Sequence, residues 1–168
     1  MADFEIRDAR KDERDAIHDL TLRAYAEYAA IMHPDAWAGL EKAIHGAFRS
    51  DTPAEQIVAD DQGTLIGSVM LFPAHVRAYG DMLEPLAWPE VRLLAVPPEA
   101  RGRGVAKALM DECLRRARAV GATAVGIHTS RSMRVAMQMY QRMGFVRVPD
   151  HDRQVPGGEL VEAYRLQL

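Results

Sequence analysis

Apolar residues recur along this chain at two different periods, and the changes of period predict an ordered series of strands and helices. Phe4 to Arg7 alternates apolar and polar side chains, the pattern of a short first strand. Ile17, Leu20, Ala24 and Tyr28 then recur at helical spacing, behind Asp12 as a capping residue and with Glu13 and Asp15 in the first turn. Pro34 starts a second helix, where its missing amide hydrogen does no harm, and Trp37, Leu40, Ile44 and Phe48 form its stripe. Gln56 to Asp60, the turn Asp61-Gln62-Gly63 and Thr64 to Leu71 read as a β-hairpin. Pro73 to Pro89 has no period and reads as a long connection, of the kind that binds ligands or stays disordered.

The second half is more regular. Val91, Leu93, Leu94 and Val96 predict a buried strand, which Pro97 and Pro98 end because neither has an amide hydrogen to donate. Arg101-Gly102-Arg103-Gly104 leads into a helix with Val105, Leu109, Cys113, Ala117 and Val120 on its buried side and Gly121 as its C-cap. Thr123 to His128 is another buried strand. Arg131 to Met143 is a helix with Met133, Ala136, Met137, Tyr140 and Met143 on one face, and Gly144 ends it. Phe145 to Val148 starts a strand, Asp150 to Gly158 is a polar loop, and Leu160 to Leu168 is a last alternating strand. With no repeat, linker or low-complexity segment, the expectation is a single α/β domain over residues 1–168.

Composition adds little beyond exclusions. Of 168 residues, 48% are hydrophobic and 27% charged, which is ordinary for a soluble globular domain. A formal charge of −3 gives no reason to expect a nucleic acid or an anionic membrane as partner. A lone cysteine, Cys113, forbids an internal disulfide, and no apolar run approaches a membrane span, so a cytoplasmic setting is expected. The six histidines lack His-x-x-x-His or His-Glu-x-x-His spacing, so no metal is expected.

The strand, glycine-rich turn and helix from Glu90 to Ala106 are built to hold an anion. Helix N-termini leave amide donors unpaired, and glycines let backbone approach phosphate oxygens. A P-loop needs Gly-Lys followed by Ser or Thr, but Val105-Ala106-Lys107-Ala108 follows Gly104. A dinucleotide fingerprint needs Gly or Ala where Lys107 stands, and an acid after the next strand, where His128-Thr129 stands. The pattern Arg/Gln-x-x-Gly-x-Gly/Ala does match Arg101 to Ala106. Together with Ala136-Met137-Gln138-Met139-Tyr140-Gln141-Arg142-Met143-Gly144-Phe145, it resembles the GNAT superfamily of acyl-CoA N-acyltransferases.

That resemblance implies an α/β (α+β) fold: a mixed, mostly antiparallel central sheet of six to seven strands, four flanking helices and a splayed central strand pair. It implies an enzyme, an N-acetyltransferase with acetyl-CoA as co-substrate, and a homodimer is compatible with it. The pyrophosphate would sit on backbone amides of Arg101, Gly102, Arg103, Gly104, Val105 and Ala106, with the Arg101, Arg103 and Lys107 charges in support. The pantetheine arm would pair with the backbone of Leu94, Ala95 and Val96. A backbone amide near Leu94 would stabilise the oxyanion that forms as an amine attacks the thioester.

Two side chains match the family's catalytic positions. Glu90 stands where related enzymes often keep a base that deprotonates the amine, usually through water, and Tyr140 matches the tyrosine that protonates the departing thiolate. Glu90 also reads as a solvated strand-end carboxylate, and Tyr140 as a core tyrosine. Many members carry an asparagine seven positions before this tyrosine; Met133 stands there, leaving Ser130 or Ser132 to supply any such contact. His128 is an alternative base or orienting group, or a hydrogen-bonded strand-end histidine. Tyr25, Tyr28, His33 and Trp37 flank the junction that forms an acceptor wall in related enzymes, and Tyr79 and Trp88 are candidates for an acceptor lid. The acceptor expected is a small primary amine rather than a protein amine; carboxylates at the cleft, from Glu84, Asp81 or Asp35, would make it cationic. A non-catalytic acyl-CoA sensor and an O-acyltransferase remain as alternatives.

Overall fold

A computed structural model describes residues 3–49, 51–80, 84–155, 157 and 159–168. Strand β1 is Glu5–Asp8, and helices α1 and α2 are Arg14–Tyr25 and Pro34–Ala47. Strands β2 and β3 are Glu55–Asp61 and Thr64–Phe72, β4 is Glu90–Ala95, α3 is Val105–Ala119, and β5 is Ala124–Ser130. Helix α4 is Arg134–Arg142, followed by β6 (Val146–Arg147), β7 (Arg153–Gln154) and β8 (Leu160–Gln167). Asp81 and Gly158, each named in an expectation above, lie outside the described residues.

Local chemistry explains most boundaries. Gln62 and Gly63, at φ 52° and 92°, close the β2–β3 hairpin in the left-handed region, and Asp60 Oδ1 accepts from the Gly63 amide at 2.6 Å. Pro34 opens α2 as expected, with His33 Nδ1 accepting from the Asp35 amide at 3.1 Å. Asp12 does not cap α1. It lies in a 3₁₀ turn, Lys11–Glu13, and Glu13 reaches back instead, accepting from the Arg10 amide at 2.7 Å while Arg7 holds the same carboxylate. The fourth helix begins with a separate 3₁₀ turn, Arg131–Met133, so α4 proper is shorter than the apolar stripe suggests.

The strands form one sheet in the order β1-β2-β3-β4-β5-β8-β6, with β7 also on β8. Neighbours are antiparallel except β4 and β5. The sheet has eight strands rather than six or seven, because Arg153–Gln154 pairs with β8 inside the stretch that reads as loop. Two residues are too few for alternation to reveal a strand.

Each face carries a helical layer. Val105, Leu109, Cys113 and Ala117 of α3, with Tyr140 of α4, pack on Ile57, Val69, Leu71, Val91, Val125 and Ile127. On the other face Leu20 and Ala24 of α1 cover Ala95, and Ile44 of α2 joins Met70, Phe72 and Leu93. Cys113 is fully buried in the first layer, and burial pushes its thiol up to about 12. Among the described residues no helix is long and apolar enough to cross a membrane.

Candidate active site

The sheet opens at its parallel junction. Strands β4 and β5 pair only at Glu90–Gly126 and Val91–Ile127, although β4 runs on to Ala95 and β5 to Ser130. The break coincides with a bulge: the β3–β4 register shifts between Ser68 and Met70, and Leu93 sits at φ 51°. A left-handed leucine costs about 1–2 kcal/mol, so packing must hold it there. Leu93 is anchored among Met70, Phe72 and Ile44. Beyond Val91 the β5-facing edge of β4 has no strand against it, which is the arrangement that accepts an added extended group. Tyr25 Oη donates to the Leu94 carbonyl at 3.1 Å, fixing α1 across this opening.

A cleft of about 890 Å³ fills the gap. One end is walled by Arg101, Gly102, Gly104, Val105, Ala106 and Lys107. Gly102 and Gly104 have φ of 77° and 80°, and a side chain there would meet open space, so conformation rather than crowding calls for glycine. Gly104 caps α3, and the first intrahelical bond is Ala108 N to Gly104 O at 3.0 Å. The amides of Val105, Ala106 and Lys107 precede that bond and point out of the helix end, as anion binding requires. At the end of β5, the buried hydroxyls of Thr129 and Ser130 have no partner among the described residues, and both residues line the cleft. These features fit a phosphorylated, pantetheine-bearing ligand.

The structure redistributes several expected roles. Leu94 and Val96 line the cleft, whereas Ala95 is buried against Leu20 and Ala24 and pairs through its backbone with Ser68. The Arg101 guanidinium turns inward, donating to the Val96 and Ala24 carbonyls at 3.1 and 3.2 Å and pairing with Glu27 at 2.9 Å. Arg103 pairs with Asp61 at 2.9 Å, and Lys107 with Asp111 at 2.6 Å. The loop's anion-binding capacity therefore rests on its backbone more than on these charges. Met133 and Ser132 line the cleft where an asparagine was the family expectation, and Ser132 Oγ donates to Glu159.

Glu90 is 2% exposed and is not part of the cleft wall. Its Oε1 accepts from Tyr79 Oη at 3.0 Å and lies 2.5 Å from His128 Nδ1. His128 Nε2 stands 2.9 Å from the His151 carbonyl, which can only accept, so that nitrogen carries a proton. A second proton must then lie between Nδ1 and Oε1, and the Glu90–His128 pair is neutral as a unit. Gly126 permits this arrangement: a Cβ there would overlap the Glu90 carboxyl and the Trp88 indole. The solvated strand-end reading of Glu90 is thus replaced by a buried one, and Tyr79 and His128 are what join it to the cleft.

Tyr140 lines the cleft from α4 and is 4% exposed, and its hydroxyl makes no hydrogen bond among the described residues. Burial, with Tyr25 and Tyr28 nearby, holds its phenol well above the usual tyrosine range, so it stays protonated. Tyr25 and Tyr28 line the opposite wall, but His33 and Trp37 do not. Tyr79 is a buried wall residue rather than a lid, and Trp88 packs on His151 and Arg165 away from the cleft. Glu84 and Asp35 do not reach it either. Arg101, Arg134 and Arg142 do, and so does the pair Arg92 and Arg153. Sequence reasoning passed over both, although a charge inside the apolar run Val91-Arg92-Leu93 is a signal that such a strand faces something polar.

A family model described as the acetyltransferase (GNAT) family matches residues 14–145. The chain belongs to that family. Solved GNAT-fold structures overlay on nearly all of it. A GCN5-related N-acetyltransferase from Rhodopseudomonas palustris aligns with a TM-score of 0.72 at 18% identity, over 98% of this chain and 95% of that one. The PaiA N-acetyltransferase of Thermoplasma acidophilum, solved in complex with coenzyme A, aligns at 0.66 and 16% identity, over 97% and 99%. A curated mycothiol acetyltransferase from Propionibacterium freudenreichii subsp. shermanii is 29% identical over 127 residues, 74% of this chain. The match spans 38% of that relative's length. The GNAT expectation of a mixed sheet, four helices and a splayed strand pair is met, with the strand count corrected as above.

Proposed function

We propose that this protein is an acetyl-CoA-dependent N-acetyltransferase acting on a small primary amine. The observation that carries the reading is the parting of β4 and β5 beyond Val91, which opens one cleft between a glycine-capped helix end, Tyr140 and His128, with Glu90 buried behind His128. The amides of the Gly102–Ala106 turn hold the pyrophosphate, and the free edge of β4 at Leu94 and Val96 holds the pantetheine. The amine nitrogen attacks the thioester carbon, a C–N bond forms, and the electron pair collects on the carbonyl oxygen near the Leu94 backbone. Collapse breaks the C–S bond, and the sulfur takes a proton from Tyr140. A phenol raised by burial still suits this step, because a thiolate leaving in the same apolar cleft is penalised by the same desolvation. The proton lost by the amine passes to Glu90 through Tyr79, whose hydroxyl oxygen takes it up as it hands its own proton to Glu90 Oε1. His128, with both ring nitrogens engaged, holds the carboxyl in place.

The test is release of CoA thiol from acetyl-CoA with panels of amines and alcohols. Release with amines supports the reading, release with alcohols alone makes the protein an O-acyltransferase, and binding without release makes it a sensor. Tyr140→Phe is expected to lower kcat by about a hundredfold, the scale of one general acid, with acetyl-CoA affinity within a few-fold of wild type. Undiminished turnover removes the acid role.

A further inference from the structure

Resting on the transferase reading, we infer that the acceptor is an amine on an apolar body, an alkyl chain or an aromatic ring, which lies along the α2 wall of the cleft. The cleft passes through the sheet where β4 and β5 part, so its two sides belong to different helical layers. The donor loop opens α3 on one face. Helix α2 covers the other face, and it gives the cleft Ala36, Gly39, Leu40 and Ala43, at helical spacing. None of these side chains is charged or can hydrogen-bond, and Asp35, Glu41, Lys42 and His45 of the same helix do not line the cleft. Ile31 and Met32, just before α2, continue the wall. Ile31 is 61% exposed, and Val135 of α4, also at the cleft, is 78% exposed. Exposed hydrophobics scattered singly need no explanation, but these two border one cavity.

The wall adjoins the backbone that holds the thioester. Leu40 and Tyr25 pack on one cluster, which contains Leu93, and Tyr25 Oη donates to the Leu94 carbonyl. Charged groups enter the cleft from other elements. Arg92 and Arg153 stand over the Tyr79 ring, at the corner where the amine loses its proton. Glu27 holds Arg101 at the donor loop, and Glu159 takes the Ser132 hydroxyl beside α4. The amine nitrogen therefore has a polar corner, and the rest of the acceptor has α2. There is room for it. The cleft, at about 890 Å³, is near the top of the range of about 300–1,000 Å³ for small-ligand sites, and the donor arm lies along β4. A Cβ at Gly39 would meet nothing within 4 Å. A polar group set against this wall loses its hydrogen bonds to water, whereas each methylene taken out of water there strengthens binding about fourfold.

The probes are n-alkylamines from ethyl to hexyl, phenethylamine, and amino alcohols of matching length. Wild-type kcat/KM for CoA release is expected to rise about fourfold per methylene until the chamber fills, and to favour hexylamine over 5-aminopentan-1-ol at least tenfold. Gly39→Gln puts an amide into the wall at a mid-helix position where its Cβ has open space and glycine is the poorer helix former, so the fold is kept. It should lower the hexyl-to-ethyl ratio at least tenfold, and Leu40→Ala, which trims the wall, should lower it severalfold. A loss shared equally by the two amines is structural and overturns the inference, as does a flat alkyl series or a wild-type preference for the amino alcohol. Propionyl- to hexanoyl-CoA with ethylamine test the other occupant: a gain with acyl length and none with amine length gives the wall to the acyl chain and overturns the acceptor assignment. Melting of the CoA-bound protein provides a readout independent of turnover. If hexylamine raises the wild-type Tm more than the amino alcohol does, and Gly39→Gln abolishes the difference, the apolar wall stands even when no amine releases CoA, and the transferase reading alone fails. Equal shifts without release of CoA overturn the wall as well.

Discussion

At the scale of single residues, one missing methyl group controls the site. Gly126 leaves the space in which the Glu90 carboxyl lies beside β5 and meets His128, and a Cβ would also strike Trp88. Glu90 is buried and Trp88 half-buried, and neither can swing away without breaking packing on His151 or the bond from Tyr79. Gly126→Ala is therefore expected to cost about 1–3 kcal/mol, a drop in Tm of roughly 2–10 °C, and to reduce kcat as well. Glu90→Gln keeps the volume but removes the proton acceptor, so it should lower kcat by about a hundredfold with little loss of Tm. Steady-state rates and thermal melts on the two variants separate crowding from chemistry. Full turnover in Glu90→Gln would mean that the amine reaches the thioester already neutral.

At the scale of elements, the turn before α3 should be the most sensitive part of the donor site. Gly104 holds φ 80° at the N-cap, where a non-glycine residue costs about 1–2 kcal/mol and shifts the following amides. Gly104→Ala is expected to raise KM for acetyl-CoA about tenfold or more and to change kcat much less, measured by initial rates at varied acetyl-CoA. An equal fall in kcat would place the defect in the chemistry instead. This turn was legible in the sequence because its causes are local: two glycines, a proline stop and a 3.6-residue stripe lie within one short run. The β2–β3 hairpin and the C-cap at Gly144 were legible for the same reason. What escaped depends on partners far along the chain. Nothing near Arg101 announces that its guanidinium will turn to Ala24 and Glu27. Tyr79 reads as an exposed aromatic in a featureless connection until Glu90, Arg92 and Arg153 close around it. The Leu93 bulge leaves no mark at all in an apolar run, although it decides where β4 and β5 part.

At the scale of the whole molecule, two arginines tie the sheet edge to the helical layers, and they make stability depend on acid pH. Arg7 on β1 bonds Glu13, at the entry to α1, and Asp60 on β2, at 2.6 and 2.7 Å. Arg116 on α3 pairs with Asp8 and Glu55 at 2.6 Å and with Glu112 at 2.8 Å, joining that helix to β1 and β2. The hydrogen bond from Arg7 brings Glu13 down to about 2, and those from Arg115 and Arg116 bring Glu112 down to about 2. An unfolded glutamate titrates near 4.3, so the folded chain binds these protons more weakly than the unfolded one. Each carboxylate therefore contributes its full stabilisation above about pH 5, and the contribution is lost progressively as pH falls toward 2. Wild-type Tm should be level from pH 7 to 5 and then fall. Glu13→Gln should melt lower at pH 7, and its curve should converge on that of wild type between pH 5 and 3, because protonation removes in wild type what the substitution has already removed. Parallel curves over that interval would show that the Arg7 network does not carry the acid sensitivity, and would move it to Glu112, where Glu112→Gln makes the same comparison.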